Sequence, residues 1–228
     1  MGNNVYGVWG SKSGTIGGNR YVIATASPIA KLPVGAVISN PFNLGGIAFE
    51  GDVLEYNFSA KTAKLLKVFK VAKAVSDTDT EIWVEATDFS HVLQAGINVM
   101  KAPTTLAGTG AAVAVGAVTK AYDATAGYVY KFAITANALG TLAKGDLLVE
   151  AEDAGSGKKM YVQNPNAILE TDVYFNETPA VNGNDYEGAR YPISLLHMAT
   201  IYGTKATPMP TAVKENLRKG FANILVIE

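Results

Sequence analysis

Short apolar runs of alternating or continuous hydrophobicity, broken every few residues by polar turn clusters, dominate this chain. The runs fall at 21–25, 53–58, 65–75, 81–86, 128–135, 145–150, 169–175, 193–201 and 221–227, and their Val, Ile, Tyr, Phe and Trp content predicts strands. Ser59-Ala60-Lys61-Thr62 and Ser76-Asp77-Thr78-Asp79 supply bends, so 53–86 is expected to be a three-stranded meander. Gly155-Ser156-Gly157 is expected to turn 145–150 back onto 159–163 as a hairpin. Pro28, Pro33 and Pro41 exclude a long helix before residue 43. One helix is expected, at 212–219: Thr211 is placed to cap it, Val213 and Leu217 share a face, and Gly220 suits its end.

The same grammar repeats. Thr25, Ala26, Ile29, Leu32, Gly35, Val37 and Ile38 match Thr135, Ala136, Leu139, Leu142, Gly145, Leu147 and Leu148 at identical spacing, and Leu93, Gly96 and Val99 form a looser third copy. Chance among common residues, or simple β-barrel grammar, is the competing account of the match, and no solenoid is read from it. Physically, a Leu under a short loop anchors the connection and Gly permits the turn into the next strand.

These patterns predict a mainly β protein: small β-barrel or β-sandwich units, an extended N-terminal arm and one short C-terminal helix. The expected division is an arm at 1–20, a first β domain at 21–102, an Ala/Gly/Thr-rich connection at 103–119 and a second β domain at 120–228. The arm is rich in Gly and Asn. Val5, Tyr6, Val8 and Trp9 are its candidate partner-binding residues, docking on another surface or packing on the chain's own body.

Composition removes several chemistries. The chain of 228 residues has no Cys, so thiol catalysis, thiolate metal sites and disulfides are excluded; with two His, a multi-histidine metal centre cannot form within one chain. Nineteen Lys and Arg against twenty Asp and Glu give a net charge of -1, which offers no general attraction to nucleic acid or anionic membranes. Lys61, Lys64, Lys67, Lys70 and Lys73 recur every third residue, wind around a helix or alternate across a strand, and are expected to form a solvated rim that blunts sheet edges. The Ala/Val stretch at 111–118 is too short to cross a membrane. The N-terminus lacks the blocks of a secretion signal and carries Tyr6 where myristoylation wants Ser or Thr, so synthesis is expected in the cytoplasm.

No catalytic residue, cofactor site or metal site is assigned. His91 and His197 are expected to be structural, Gly7 to Gly14 lacks the context of a phosphate loop, and Asp77-Thr78-Asp79 and Asn182 to Glu187 read as turns. Carboxylates distant in sequence can still meet, which keeps a carbohydrate-cleaving or carbohydrate-binding module using Trp83 or Tyr186 as the alternative.

The closing segment runs from an apolar strand with His197 to Tyr202 through Gly203, Met209-Pro210-Thr211-Ala212-Val213-Lys214 and Leu217 to a final strand with Ile224. It resembles the end of head-decoration and head-fibre proteins of tailed bacteriophages. Lys64 to Phe69, Phe89-Ser90-His91-Val92-Leu93 and Gly96 to Met100 are similar in style to virion proteins, whereas Lys205 to Pro208 lengthens the link after Gly203. The resemblance implies a non-enzymatic auxiliary capsid protein on the head exterior, bound to the major capsid protein and possible to assemble with itself, as a trimer at a fibre base. A tail or baseplate component is the neighbouring alternative.

Overall fold

The computed structural model describes residues 22–23, 30–32, 36–40, 46–87, 89–175, 192–219 and 223–227. Eighteen strands and one helix occur among them: β1 (Ala30–Lys31), β2 (Ala36–Ile38), β3 (Gly46–Ala48), β4 (Val53–Asn57), β5 (Thr62–Leu65), β6 (Val68–Lys70), β7 (Glu81–Glu85), β8 (Asn98–Lys101), β9 (Gly110–Ala114), β10 (Val118–Asp123), β11 (Gly127–Ala133), β12 (Leu147–Ala151), β13 (Gly155–Lys158), β14 (Ala167–Leu169), β15 (Val173–Phe175), β16 (Pro192–Ile193), β17 (Leu195–Tyr202), α1 (Thr211–Lys219) and β18 (Asn223–Ile227). The protein is mainly β, with sandwich-like sheets and no closed barrel among the described residues.

Three main sheets stack. The outer sheet has the order β1-β17-β14-β4-β5-β2-β16, with β18 parallel to β17; the middle sheet runs β13-β9-β8-β12-β6; the third is β10-β11-β7. The middle sheet is apolar on both faces, because successive residues of a strand point to opposite sides. Val68, Met100 and Val149 join the outer sheet and Val213 and Leu217 of α1 in one core. Their neighbours Phe69, Val99 and Leu148 turn the other way and pack with Ile82, Val84 and Phe132 of the third sheet. The far side of the outer sheet holds another core, with Leu54, Leu65, Leu169 and Leu195.

Pairing follows space, not chain order. Strands β4 and β5 belong to the outer sheet with β14 and β17, whereas everything from β6 to β13 lies in the other two sheets. The ladders therefore cross the expected segments 21–102 and 120–228, since β6 pairs with β12 and β7 with β11. The expected meander is corrected likewise: the run 65–75 breaks at Leu66-Lys67, where the chain leaves one sheet for another. Leu66 N–H still bonds to Val53 O, but Val71 N–H bonds to Asp146 O. The segment 103–119 contains a strand, Gly110–Ala114, which hydrogen-bonds between β8 and β13. Its small side chains suit close packing between neighbouring strands. The C-terminal helix starts at Thr211, with Pro210 C=O accepting from Val213 and Lys214 N–H, so Thr211 is its first residue and not its cap.

The repeated turn has a physical basis. Gly145 (φ +94°) and Gly96 (φ +87°) adopt the left-handed conformation two residues before β12 and β8, which are antiparallel partners, and Leu142 and Leu93 are buried. A further example was not evident in the sequence. Gly51 (φ +82°) precedes β4, and Asp52 Oδ2 accepts from Phe49 N–H (2.7 Å) while Asp52 N–H donates to Phe49 O (2.9 Å). Asp146 and Ala143 repeat that pair of bonds at 3.0 and 3.1 Å.

Candidate binding surface

Strands β10 and β11 form a hairpin whose turn is built by Asp123. Its Oδ1 accepts from Thr125 N–H (2.9 Å) and Ala126 N–H (2.8 Å), and Gly127 closes the turn at φ +76°. Those backbone donors hold the Asp123 carboxyl below its usual range. The register pairs Lys120 with Tyr130 and Tyr122 with Tyr128, and places them on the face that carries Val118, Phe132, Ile82 and Val84. At the base of the hairpin this face is core. Towards the tip it outruns the body, leaving Tyr122 69% and Tyr128 60% exposed. The two rings meet nearly edge to face at 5.3 Å, and Lys120 Nζ lies 5.6 and 5.8 Å from the Tyr128 and Tyr130 rings. Burial pushes the Tyr130 hydroxyl up.

The reverse face carries Trp83. Lys131 Nζ sits 3.5 Å and Lys73 Nζ 4.8 Å from the Trp83 ring centroid, while its Nε1–H donates to Glu81. A hollow of about 150 Å³ lies beside it, lined by Lys73, Asp79, Thr80 and Glu81 among others. The indole is already occupied by cations. A sugar ring stacking there has to displace at least one lysine.

Inside, the buried ionisable groups are held by hydrogen-bond and ion-pair partners. His91 Nδ1 accepts from Val68 N–H (3.0 Å), which leaves Nε2 to carry the proton and donate to Asp52 Oδ2 (2.8 Å); Thr207 Oγ1–H donates to Asp52 Oδ1 (2.5 Å). The arrangement contains the residue types of a nucleophile triad but not its connectivity. Thr207 is bonded to the carboxylate, not to the imidazole, so His91 cannot take its proton. The void next to Asp52 and Thr207 is about 10 Å³, the size of a water at most. Nearby, Lys67 Nζ lies 3.7 Å from Glu150 Oε2, which also accepts from Asn40 Nδ2 (3.0 Å). Burial pushes Lys67 down and Glu150 up, each against the pull of the other's charge.

The lysine series is thus corrected. Lys64 lies over Tyr161, Lys70 pairs with Glu85 at 3.0 Å and Lys73 lies over Trp83, but Lys67 is 1% exposed. It sits where the chain passes between two sheets, so both of its sides are covered. His197 is half-buried in β17, and Asp79 caps its own turn through Ser76 N–H at 2.7 Å. The arm residues Val5, Tyr6, Val8 and Trp9, along with Tyr186 and the loop 182–187, lie outside the described residues. The hairpin was missed as a surface. Its sequence signal was the tyrosine at every second position, Tyr122, then Tyr128 and Tyr130, continuing past the core residue Phe132.

No protein-family model matches the chain, and no curated protein or solved structure does either. Among the described residues, no helix is long and apolar enough to cross a membrane.

Proposed function

We propose that this chain is an auxiliary structural protein of a tailed-phage virion, of decoration or head-fibre type, which binds the major capsid protein on the head exterior. The role is adhesive and non-catalytic. One observation carries it: the buried ionisable groups are consumed by partners inside the fold, whereas aromatic side chains at the β10–β11 tip are presented to solvent. The resemblance of the closing segment, β17 through α1 to β18, supplies the particle. Attachment buries apolar groups, and repetition over a lattice multiplies modest contacts.

Antibody labelling of particles banded from the producing cells tests the reading. Label on heads supports it, label on tails moves the chain to a tail or baseplate role, and unlabelled particles overturn it. The arm is tested by deleting residues 2–20: occupancy on purified heads is expected to fall, and unchanged occupancy removes Val5, Tyr6, Val8 and Trp9 from the contact. A carbohydrate-binding virion module is the second reading, favoured by the hollow beside Trp83 with Asp79 and Glu81 on its rim. It requires host polysaccharide to change the Trp83 fluorescence, and Trp83→Phe to abolish that change.

A further inference from the structure

Among the described residues, strand β10 is the margin of the third sheet, hydrogen-bonded to β11 alone in the order β10-β11-β7. Sheet margins are normally shortened, kinked or covered. In this molecule β1 and β16 have two residues each, β1 carries a register shift, β16 opens with Pro192 and β13 contains Gly155 and Gly157 with irregular pairing. Strand β10 has none of these protections. It runs six residues, Val118–Asp123, in unbroken register, without Pro or Gly, and its one lysine leans over Tyr128 and Tyr130 instead of projecting from the edge.

The direction of its free peptide groups follows from the ladder. Ala86 N–H donates to Tyr128 O and Ile134 N–H to Thr80 O, so even-numbered residues of β11 turn their backbone groups towards β7. Odd-numbered residues turn theirs to β10, which engages Asp123, Ala121 and Thr119 through their partners Gly127, Val129 and Lys131. The alternation leaves the N–H and C=O of Lys120 and Tyr122 facing outwards.

We infer that this edge pairs with the β10 edge of a second copy of the chain, antiparallel about a two-fold axis at Ala121. Opposed residues across such an axis lie on the same face, so the axis must pass through a residue position, and the side chains choose which one. An axis at Lys120 sets two ammonium groups against each other, which is repulsive. An axis at Tyr122 sends Lys120 opposite the turn residue Ala124. An axis at Ala121 sets each Lys120 opposite the Tyr122 of the other copy. Both outward-facing residues then exchange backbone bonds, the exposed Tyr122 ring gains a cation as neighbour, and the aromatic face runs on from one hairpin into the next. This pairing stands on the edge geometry alone and holds whether or not the chain attaches to a capsid.

The absence of cysteine makes the register measurable. In the full chain, Ala121→Cys puts two thiols directly opposite each other in a non-hydrogen-bonded pair, with α-carbons about 4.5 Å apart. Thr119→Cys lies on the same face, but its two copies are on the order of 14 Å apart along the paired strands, beyond disulfide reach. Under mild oxidation Ala121→Cys is expected to form covalent dimer at least about tenfold faster than Thr119→Cys, which corresponds to about 1.4 kcal/mol of register preference. Adding Lys120→Pro, which removes an outward N–H, is expected to bring the Ala121→Cys rate down to the Thr119→Cys rate, with circular dichroism confirming that the fold is kept. Equal or reversed rates for the two cysteines, an Ala121→Cys chain that stays monomeric, or indifference of a folded chain to Lys120→Pro each overturn the inference.

Discussion

The seam between the outer and middle sheets and the β10–β11 hairpin both concentrate charge and aromatic rings, yet they use them in opposite ways. In the seam, Asp52, His91, Thr207, Asn40, Lys67 and Glu150 are buried, and each polar atom is fixed by a partner from a different part of the chain. On the hairpin, the ring and cation contacts of Lys120, Tyr122 and Tyr128 among the described residues are with neighbours in the same hairpin, and most of the two distal rings is left in water. Removing a seam residue strands its partner in a low-dielectric interior; removing a hairpin residue strands nothing. Stability is thus concentrated in the first region, and the second is free to be chosen for contact.

The sharpest break in the contrast is Lys67→Met. It leaves Glu150 without its counter-charge and is expected to cost about 3–5 kcal/mol in denaturant unfolding. Lys67→Met combined with Glu150→Leu is expected to recover most of that loss, because a buried ion pair is often no better than packed apolar groups. Next in size is Gly51→Ala. Its backbone sits at φ +82° and an added Cβ would lie 2.5 Å from Val22 Cγ1, so strain and overpacking together should cost about 2–4 kcal/mol.

The pair also gives the seam a pH signature. Glu150 is raised, so the folded state holds its proton more tightly, and stability falls as pH rises from the usual carboxylate range through the raised value. Lys67 is lowered, so stability is recovered as pH rises through its lowered value towards 10.5. Glu150→Gln is expected to flatten the acid-side fall. A fall of the same steepness in that variant would place the titrating group elsewhere.

Much of this contrast lay beyond sequence reading, for reasons particular residues make clear. Period-two patterning located the strands around Val53, Glu81, Tyr128 and Leu195, and the spacing of Val213 and Leu217 located the helix. What periodicity does not carry is partner identity. Leu65, Leu66, Lys67 and Val68 read as one continuing strand because each is buried, although the chain changes sheets between them. Lys67 looked like one more solvated lysine because its partner, Glu150, is far away in sequence. The turn at Gly51 escaped notice because Ala48 and Phe49 stand where the related turn has Leu142 and Ala143, and because the side-chain partners of Asp52, His91 and Thr207, are far away in sequence.

The smallest expected change in stability tests the other half of the comparison. Tyr122→Ser removes an exposed ring whose contact is Tyr128, in a hairpin whose turn is held independently by Asp123 and Gly127. The unfolding midpoint should move by no more than about 0.5 kcal/mol in equivalent free energy, as for other surface substitutions. On the proposed attachment to heads, binding should nonetheless weaken, because an aromatic anchor loses its apolar area when it is truncated. If unfolding shifts as far as it does for Lys67→Met, Tyr122 is structural and the division between seam and hairpin collapses. If neither stability nor binding responds, the attachment surface lies away from the hairpin tip, and the next ring to remove is Trp83 on the reverse face.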